Sequence, residues 1–130
     1  MIFYKMKSVC LLLCALFALA LAESDDRLSC YSCSGKDSGC PEPATLTDLA
    51  NMDMTYCTGV LATGCTKYSV NYLSGDVYTF RSCAPLIVDE IDGTGLNFCD
   101  FITKMYAPLT EGSLVKGVDC YNCTTVNCNT

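Results

Sequence analysis

The chain contains no histidine and few basic residues. Its 130 residues include 8 lysines and arginines against 14 aspartates and glutamates, so the formal net charge at pH 7 is −6. Without histidine the usual general base near neutral pH is missing, and we expect no enzymatic activity. The acidic balance argues against nucleic acid or an anionic membrane surface as a partner. It suits a soluble extracellular protein, and a basic patch would be the complementary surface on a partner.

Long apolar runs are also scarce, since the only one lies at the start of the chain. Residues 9–21 are apolar, follow Lys5 and Lys7, and run into ALA, a small-x-small cleavage sequence. This combination predicts a secretory signal peptide over residues 1–22, with an uncleaved anchor as the alternative. No second apolar stretch of about 18 residues follows, so no transmembrane helix is expected. The remaining residues, 23–130, form a single domain that we expect to be secreted and extracellular.

Cysteine is the residue that this domain has in excess. Of the 12 cysteines in the chain, Cys10 and Cys14 leave with the signal peptide, and ten remain. In an oxidising compartment an even number of cysteines predicts complete pairing, and disulfides of about 2–4 kcal/mol each compensate for a small core. Paired cysteines provide no free nucleophile for catalysis. We also expect no cofactor. Zinc or a redox role is the alternative reading of Cys-x-x-Cys at 30–33 and 120–123.

Local patterns predict strands and hairpins. Residues 67–83, KYSVNYLSGDVYTFRSC, alternate apolar and polar residues on both sides of the Ser74-Gly75-Asp76 turn, which predicts a β-hairpin. Residues 100–106 and 113–118 predict a second hairpin, with Pro108 and Gly112 in the connection. Thr45 and Asp48 have the spacing that caps a short helical turn. No internal repeat is present, and the sequence predicts a small all-β, disulfide-rich domain whose hairpins leave a cysteine-dense base.

The two ends of the domain carry a family pattern. LSCYSC, residues 28–33, resembles the L-x-C-x-x-C opening of the lymphocyte-antigen-six/urokinase-receptor (LU) family, and CYNCTTVNCNT, residues 120–130, resembles its closing C-x4-C-N. All ten cysteines have counterparts. The resemblance implies a single LU domain with the three-finger fold that snake α-neurotoxins share. The Cys-x-x-Cys at 120–123, where many vertebrate members have adjacent cysteines, resembles arthropod members.

The resemblance also implies a disulfide map and a structural residue. Asn129 matches the family asparagine that follows the last cysteine, whose side chain ties the base together by hydrogen bonds. The usual acidic residue near the last cysteine is replaced here by Val126-Asn127, and residues 40–57 and 83–99 carry extra loop. The five implied disulfides are Cys30–Cys65, Cys33–Cys40, Cys57–Cys83, Cys99–Cys120 and Cys123–Cys128.

The function that the resemblance implies is protein binding by a non-enzymatic module. One role is modulation of a cell-surface receptor or ion channel, such as a nicotinic acetylcholine receptor or a potassium channel. The alternatives are structural or trafficking work in septate-junction or epithelial assembly, and a secreted toxin-like effector. An acid and no base at the central fingertip argues against toxin-like receptor block. Loops on a rigid scaffold carry function, and the candidate binding residues are Tyr72, Leu73, Asp76 and Tyr78 in finger two and Met105, Tyr106, Pro108 and Leu109 in finger three.

Three further features have simpler readings. Asp89, Glu90 and Asp92 miss the spacing of a calcium-binding loop, which favours a solvated loop. Asn122-Cys123-Thr124 is a formal glycosylation sequon whose middle residue is expected in a disulfide, which weakens the prediction that Asn122 is modified. A glycolipid-anchor signal needs a hydrophobic tail beyond the domain, and only two residues follow Cys128. If the chain ends there, we expect a released protein without such an anchor.

Overall fold

The computed structural model describes residues 27–59, 62–89 and 93–130. The predicted signal peptide, residues 1–22, lies outside them, as do Glu90 and Asp92. Strands dominate the described part of the chain, and none of its helices is long and apolar enough to cross a bilayer. The strands are β1 Ser29–Lys36, β2 Asp53–Tyr56, β3 Gly64–Tyr72, β4 Val77–Ala84, β5 Ile87–Asp89, β6 Gly95–Asn97 and β7 Val115–Cys123, and the helices are α1 Leu46–Asn51 and α2 Phe98–Glu111.

One antiparallel sheet organises the domain. Its strand order is β2-β1-β4-β3-β7, and β5 pairs with β6 in a separate two-stranded sheet. The predicted central hairpin is confirmed as β3 and β4, with Tyr68 opposite Phe80 and Val70 opposite Tyr78. Gly75 in its turn has a φ of 93°, a backbone conformation that glycine adopts without steric cost. The domain is mostly β-sheet and disulfide-rich, as the sequence predicted.

The predicted second hairpin is wrong, because residues 100–106 belong to helix α2. Asn97 begins this helix by accepting a hydrogen bond from the Cys99 backbone N–H at 2.9 Å. Ile102 and Tyr106 are four residues apart, the helical spacing that places both on one face. Ile102 is buried, and the Tyr106 ring lies against β3. The helix packs on β7, whose residues 115–123 pair with β3, so only residues 115–118 of the predicted strand 113–118 are in a strand.

A short helix begins where the sequence predicted one. The Thr45 side chain accepts a hydrogen bond from the Asp48 backbone N–H at 3.2 Å, and the Asp48 carboxylate accepts one from the Thr45 backbone N–H at 2.8 Å. A hydrogen bond from the Thr45 hydroxyl and, second, the one from the Thr45 backbone N–H hold the pKa of Asp48 below its ordinary value. The predicted cap is confirmed.

Disulfides make up much of the small core. Cys30, Cys40 and Cys65 are buried, and the Sγ atoms of Cys30 and Cys57, from different bridges, lie 3.1 Å apart. Few large apolar side chains are fully buried in the described residues, Val70 and Val115 among them. The five pairs in the structure are those that the resemblance implies: Cys30–Cys65, Cys33–Cys40, Cys57–Cys83, Cys99–Cys120 and Cys123–Cys128.

A buried asparagine joins two strands at the base of the sheet. Asn129 is fully buried, and its Oδ1 accepts a hydrogen bond from the Tyr31 backbone N–H at 2.9 Å. Its Nδ2 donates to the carbonyl oxygens of Tyr31 and Thr66, each at 2.9 Å. The side chain therefore satisfies backbone groups of β1 and β3 that are closed off from water.

A buried arginine completes this polar network. Arg81 has no exposed surface, and its Nε donates to the Asn129 carbonyl oxygen at 3.1 Å. Its guanidinium also pairs with Glu42, whose other carboxylate oxygen accepts from Lys67 at 3.1 Å. Burial lowers the pKa of Arg81, and the Glu42 carboxylate opposes that shift. A buried charge needs such a partner, so Glu42 fixes the loop after Cys40 against β4.

We predict that Asn129→Ala lowers the free energy of unfolding by about 2–4 kcal/mol, because the backbone groups of Tyr31 and Thr66 lose their partners. Asn71→Ala is the matched control, since it removes one exposed hydrogen bond to Asp119 and should cost less than about 1 kcal/mol. Urea unfolding followed by circular dichroism measures both. Equal losses in the two variants would contradict the network's role.

Loop length predicts how much each bridge stabilises the domain. Cys57–Cys83 closes a separation of 26 residues and Cys33–Cys40 one of 7. Replacing both cysteines of a bridge by serine should therefore cost about 3–4 kcal/mol for the longer loop and about 2 kcal/mol for the shorter. Denaturant unfolding of the two double variants tests this order. The reverse order would show that local packing outweighs chain entropy.

Candidate protein-binding surface

The candidate residues from the two predicted fingers lie at the same end of the sheet. The backbone N–H of Leu73, in the β3–β4 turn, donates to the Leu114 carbonyl oxygen at 3.2 Å. Tyr72 lies opposite Val115 in the register of β3 and β7. The Leu114 N–H donates to the Leu109 carbonyl oxygen at 2.9 Å, which connects the hairpin turn to the end of α2. The structure therefore brings residues of both predicted groups together.

Aromatic side chains cover one face of this region. The Tyr68 and Phe80 rings stack with centroids 5.2 Å apart and an interplanar angle of 30°. The Tyr106 ring lies 6.3 Å from Tyr68 at an angle of 51°. Most of these rings are partly exposed, whereas Val70 beneath them is fully buried. We call this surface the tyrosine face, and its residues are Tyr68, Tyr72, Tyr78, Phe80 and Tyr106.

Tyr68 lies at the centre of the tyrosine face. Burial raises the pKa of its hydroxyl to about 12, and Tyr106 contributes through its charge and a hydrogen bond. The proximity of Tyr78 and Tyr72 raises it further. Three tyrosines that the sequence nominated therefore surround Tyr68. Tyr68 and its stacking partner Phe80 are both half-buried.

Aliphatic side chains extend the surface at the tip. The exposed fractions of Leu73, Leu114 and Met105 are 58%, 61% and 58%, and that of Leu109 is 38%. Met105 and Leu109 are four residues apart and share a face of α2. We call these four residues the tip patch. Exposed apolar side chains that are grouped mark an interaction site more often than isolated ones do.

Sequence reasoning missed Leu114 and misplaced the finger-three residues. Leu114 was assigned to a strand, but Ser113 before it has a φ of 58°, and the turn directs the chain back toward the β3–β4 turn. Pro108 was assigned to a connection, but it lies within α2, and its carbonyl oxygen accepts from the Gly112 N–H at 2.9 Å. A left-handed backbone at a serine leaves no signal in composition.

Asp76 is engaged within the domain. Its carboxylate lies 2.8 Å from the Lys36 Nζ at the end of β1, and both side chains are about half exposed. The hydrogen bond from Lys36 is the main cause that holds the pKa of Asp76 below its ordinary value, with Ser74 second. The same hydrogen bond raises the pKa of Lys36. Asp76 therefore connects β1 to the hairpin turn, and its charge is locally balanced.

The other candidate sites offer little free chemistry. The Asn122 side chain is half-buried, accepts from the Thr66 hydroxyl at 3.1 Å and donates to Asn97 at 3.3 Å. Glycosylation of Asn122 would have to displace these bonds. The sulfurs of Cys30, Cys57 and Cys65 lie within 4.8 Å of one another, but all three are in disulfides and provide no thiolate for a metal.

Comparisons of the chain with protein-family models, curated proteins and solved structures find no match. The functional inference therefore rests on the chain's own residues. Of these, the tyrosine face and the tip patch are the largest grouping of candidate binding side chains that the described residues bring together.

We predict that a spectrophotometric titration of tyrosine contains a late component near pH 12 that Tyr68→Phe removes. A folded-state pKa raised from 10.0 means that the native protein holds this proton more tightly than the unfolded chain. Stability should therefore fall as the pH rises from about 10 to about 12, and less steeply in Tyr68→Phe. Tyr121→Phe, on the opposite face of the sheet, is the control. A late component that persists in Tyr68→Phe would contradict the assignment.

Proposed function

We propose that this chain is a secreted, non-enzymatic three-finger protein that binds another protein through the tyrosine face and the tip patch. The observation that carries the proposal is the convergence of finger-two and finger-three side chains at one end of the sheet. Tyrosine offers large contact area with few rotatable bonds, and it is favoured at interface hot spots. A domain rich in disulfides and without a membrane-spanning helix in its described part is compatible with secretion.

The arrangement of elements supports a three-finger architecture. The pairs β1–β2 and β3–β4 provide two fingers, and α2 with β7 provides the third. Five disulfides and Asn129 gather the bases of these pairs. In this architecture a helix replaces the first strand of finger three, and that helix supplies Tyr106 to the tyrosine face.

The partner that we propose is a cell-surface receptor or ion channel. A rigid scaffold with an aromatic patch and an aliphatic tip can occupy an exposed apolar groove of a membrane protein without reorganising. Because Lys36 balances the charge of Asp76, the β3–β4 turn at this end of the protein carries little unpaired charge. Apolar contact is therefore expected to contribute more to the affinity than charge does, and added salt should weaken binding only slightly.

We predict that Tyr78→Ala and Leu73→Ala each weaken binding of the labelled protein to intact target cells by at least about tenfold. Tyr121→Ala is the matched control, because Tyr121 is 51% exposed and lies opposite Lys67, on the other face of β3 and β7. Circular dichroism of each variant checks that the fold is kept. Equal binding by Tyr78→Ala, Leu73→Ala and Tyr121→Ala would refute the assigned surface.

Recordings from the same cells test the class of partner. A receptor or channel modulator should change agonist-evoked or voltage-evoked currents when the purified protein is applied, and Leu73→Ala should lose that effect. Saturable binding to the cells with unchanged currents would overturn the modulator role. That result would not contradict the assigned binding surface. Loss of the epithelial barrier in cells lacking the protein would then be the next observation to seek.

A further inference from the structure

Strand β1 is paired along only half of its length on each side. Its residues 29–32 pair with β2, and its residues 33–36 pair with β4. In an antiparallel ladder, alternate residues direct their N–H and C=O groups to opposite sides of the strand. β1 therefore has one unpaired edge toward β4, at residues 29–32, and another beyond the end of β2, at residues 33–36.

Asparagines fill the first of these edges. The Asn127 N–H donates to the Ser29 carbonyl oxygen at 2.7 Å, and the Asn129 side chain bonds both backbone groups of Tyr31. Ser29 and Tyr31 thus direct their backbone groups to the β4 side. Leu28 directs its carbonyl oxygen the other way, toward the Cys57 N–H at 2.8 Å. By this alternation, the N–H and C=O of Ser34 lie on the β2 side of β1. β2 pairs with β1 only as far as Ser32, so it does not reach them.

The second edge opens into a groove. A cavity of about 430 Å³ lies between β1, the turn that follows it and the end of α1. Ser32 and Ser34 of β1 line the groove together with Asn51 and Asp53. No described backbone group pairs with Ser34 from this side. The groove therefore runs beside a strand edge that can accept one more extended segment.

The groove carries negative charge without a balancing base. Asp48 and Asp53 are among its lining residues, and none of those residues is lysine or arginine. The Asp48 Oδ2 accepts hydrogen bonds from the backbone N–H and the hydroxyl of Thr45. The Asp48 Oδ1 has no hydrogen bond to the described residues. Lys36, at the end of the same strand, is held by Asp76. An occupant with a cationic side chain would complement this charge.

We propose that this groove binds an extended segment of a partner protein that carries a lysine or arginine. The segment adds to β1 as a short strand, and its backbone bonds the N–H and C=O of Ser34. Its cationic side chain reaches the carboxylates of Asp48 and Asp53. This site is separate from the tyrosine face and the tip patch, and it does not depend on the function proposed for them.

Selection from a displayed library of random peptides tests the proposal on the full chain purified from a secretory expression system. The selected peptides should carry lysine or arginine among β-branched residues. They should bind Asp53→Lys at least tenfold more weakly than the wild type. Asp119→Lys is the matched control, since Asp119 is exposed on the edge strand at the other side of the sheet, and it should change affinity less than twofold.

Amide hydrogen exchange locates the bound peptide. The Ser34 N–H should exchange quickly in the free protein and at least tenfold more slowly with a selected peptide bound, while Tyr31 stays protected throughout. Failure to select any peptide, selected peptides without a basic residue, or equal affinity for Asp53→Lys would overturn the proposal. Protection of Ser34 in the free protein would overturn it as well, because the edge would then already be paired.

Discussion

The hydrogen bonds of Asn129 are the constraint on which the rest of the structure depends. A sheet this small buries few large apolar side chains, so backbone groups that lack a strand partner must be satisfied in another way. Asn129 replaces a strand for Tyr31 and holds Thr66 at the same time. Arg81 then bonds the Asn129 backbone and, through Glu42, the loop after Cys40. The bases of the strand pairs are held in register by polar bonds and cystines more than by an apolar core.

How much of this could be predicted depended on the range of the interactions. The β3–β4 hairpin follows from alternation and a glycine turn, and the α1 cap follows from Thr45 and Asp48, because these signals are local. Helix α2 was missed because a short apolar run fits a strand as well as a helix. Burial of Ile102 against the sheet and the Cys99–Cys120 bridge decide between them, and both are long-range.

The candidate sites show the same division. The sequence nominated Tyr72, Tyr78 and Tyr106 singly, and the fold gathers them around Tyr68 because α2 packs on β7, the strand next to β3, and brings the Tyr106 ring to 6.3 Å from Tyr68. Asp76 was nominated as a contact, yet Lys36 from another strand engages it. The groove beside Ser34 could not be foreseen, since it exists only because β1 changes partner halfway along its length. A small rigid sheet thus presents an apolar end and, along β1, an acidic edge.

Site-specific photocrosslinking tests the account most directly. A photoreactive residue at Leu73 and another at Tyr121 place the same probe at the tip patch and on the opposite face of the sheet, both exposed. Applied to intact target cells, the Leu73 probe should capture a receptor or channel subunit that mass spectrometry identifies. The Tyr121 probe should not capture it. Equal capture of the same subunit from both positions, or none from Leu73 on cells that bind the protein, would contradict the assigned binding surface.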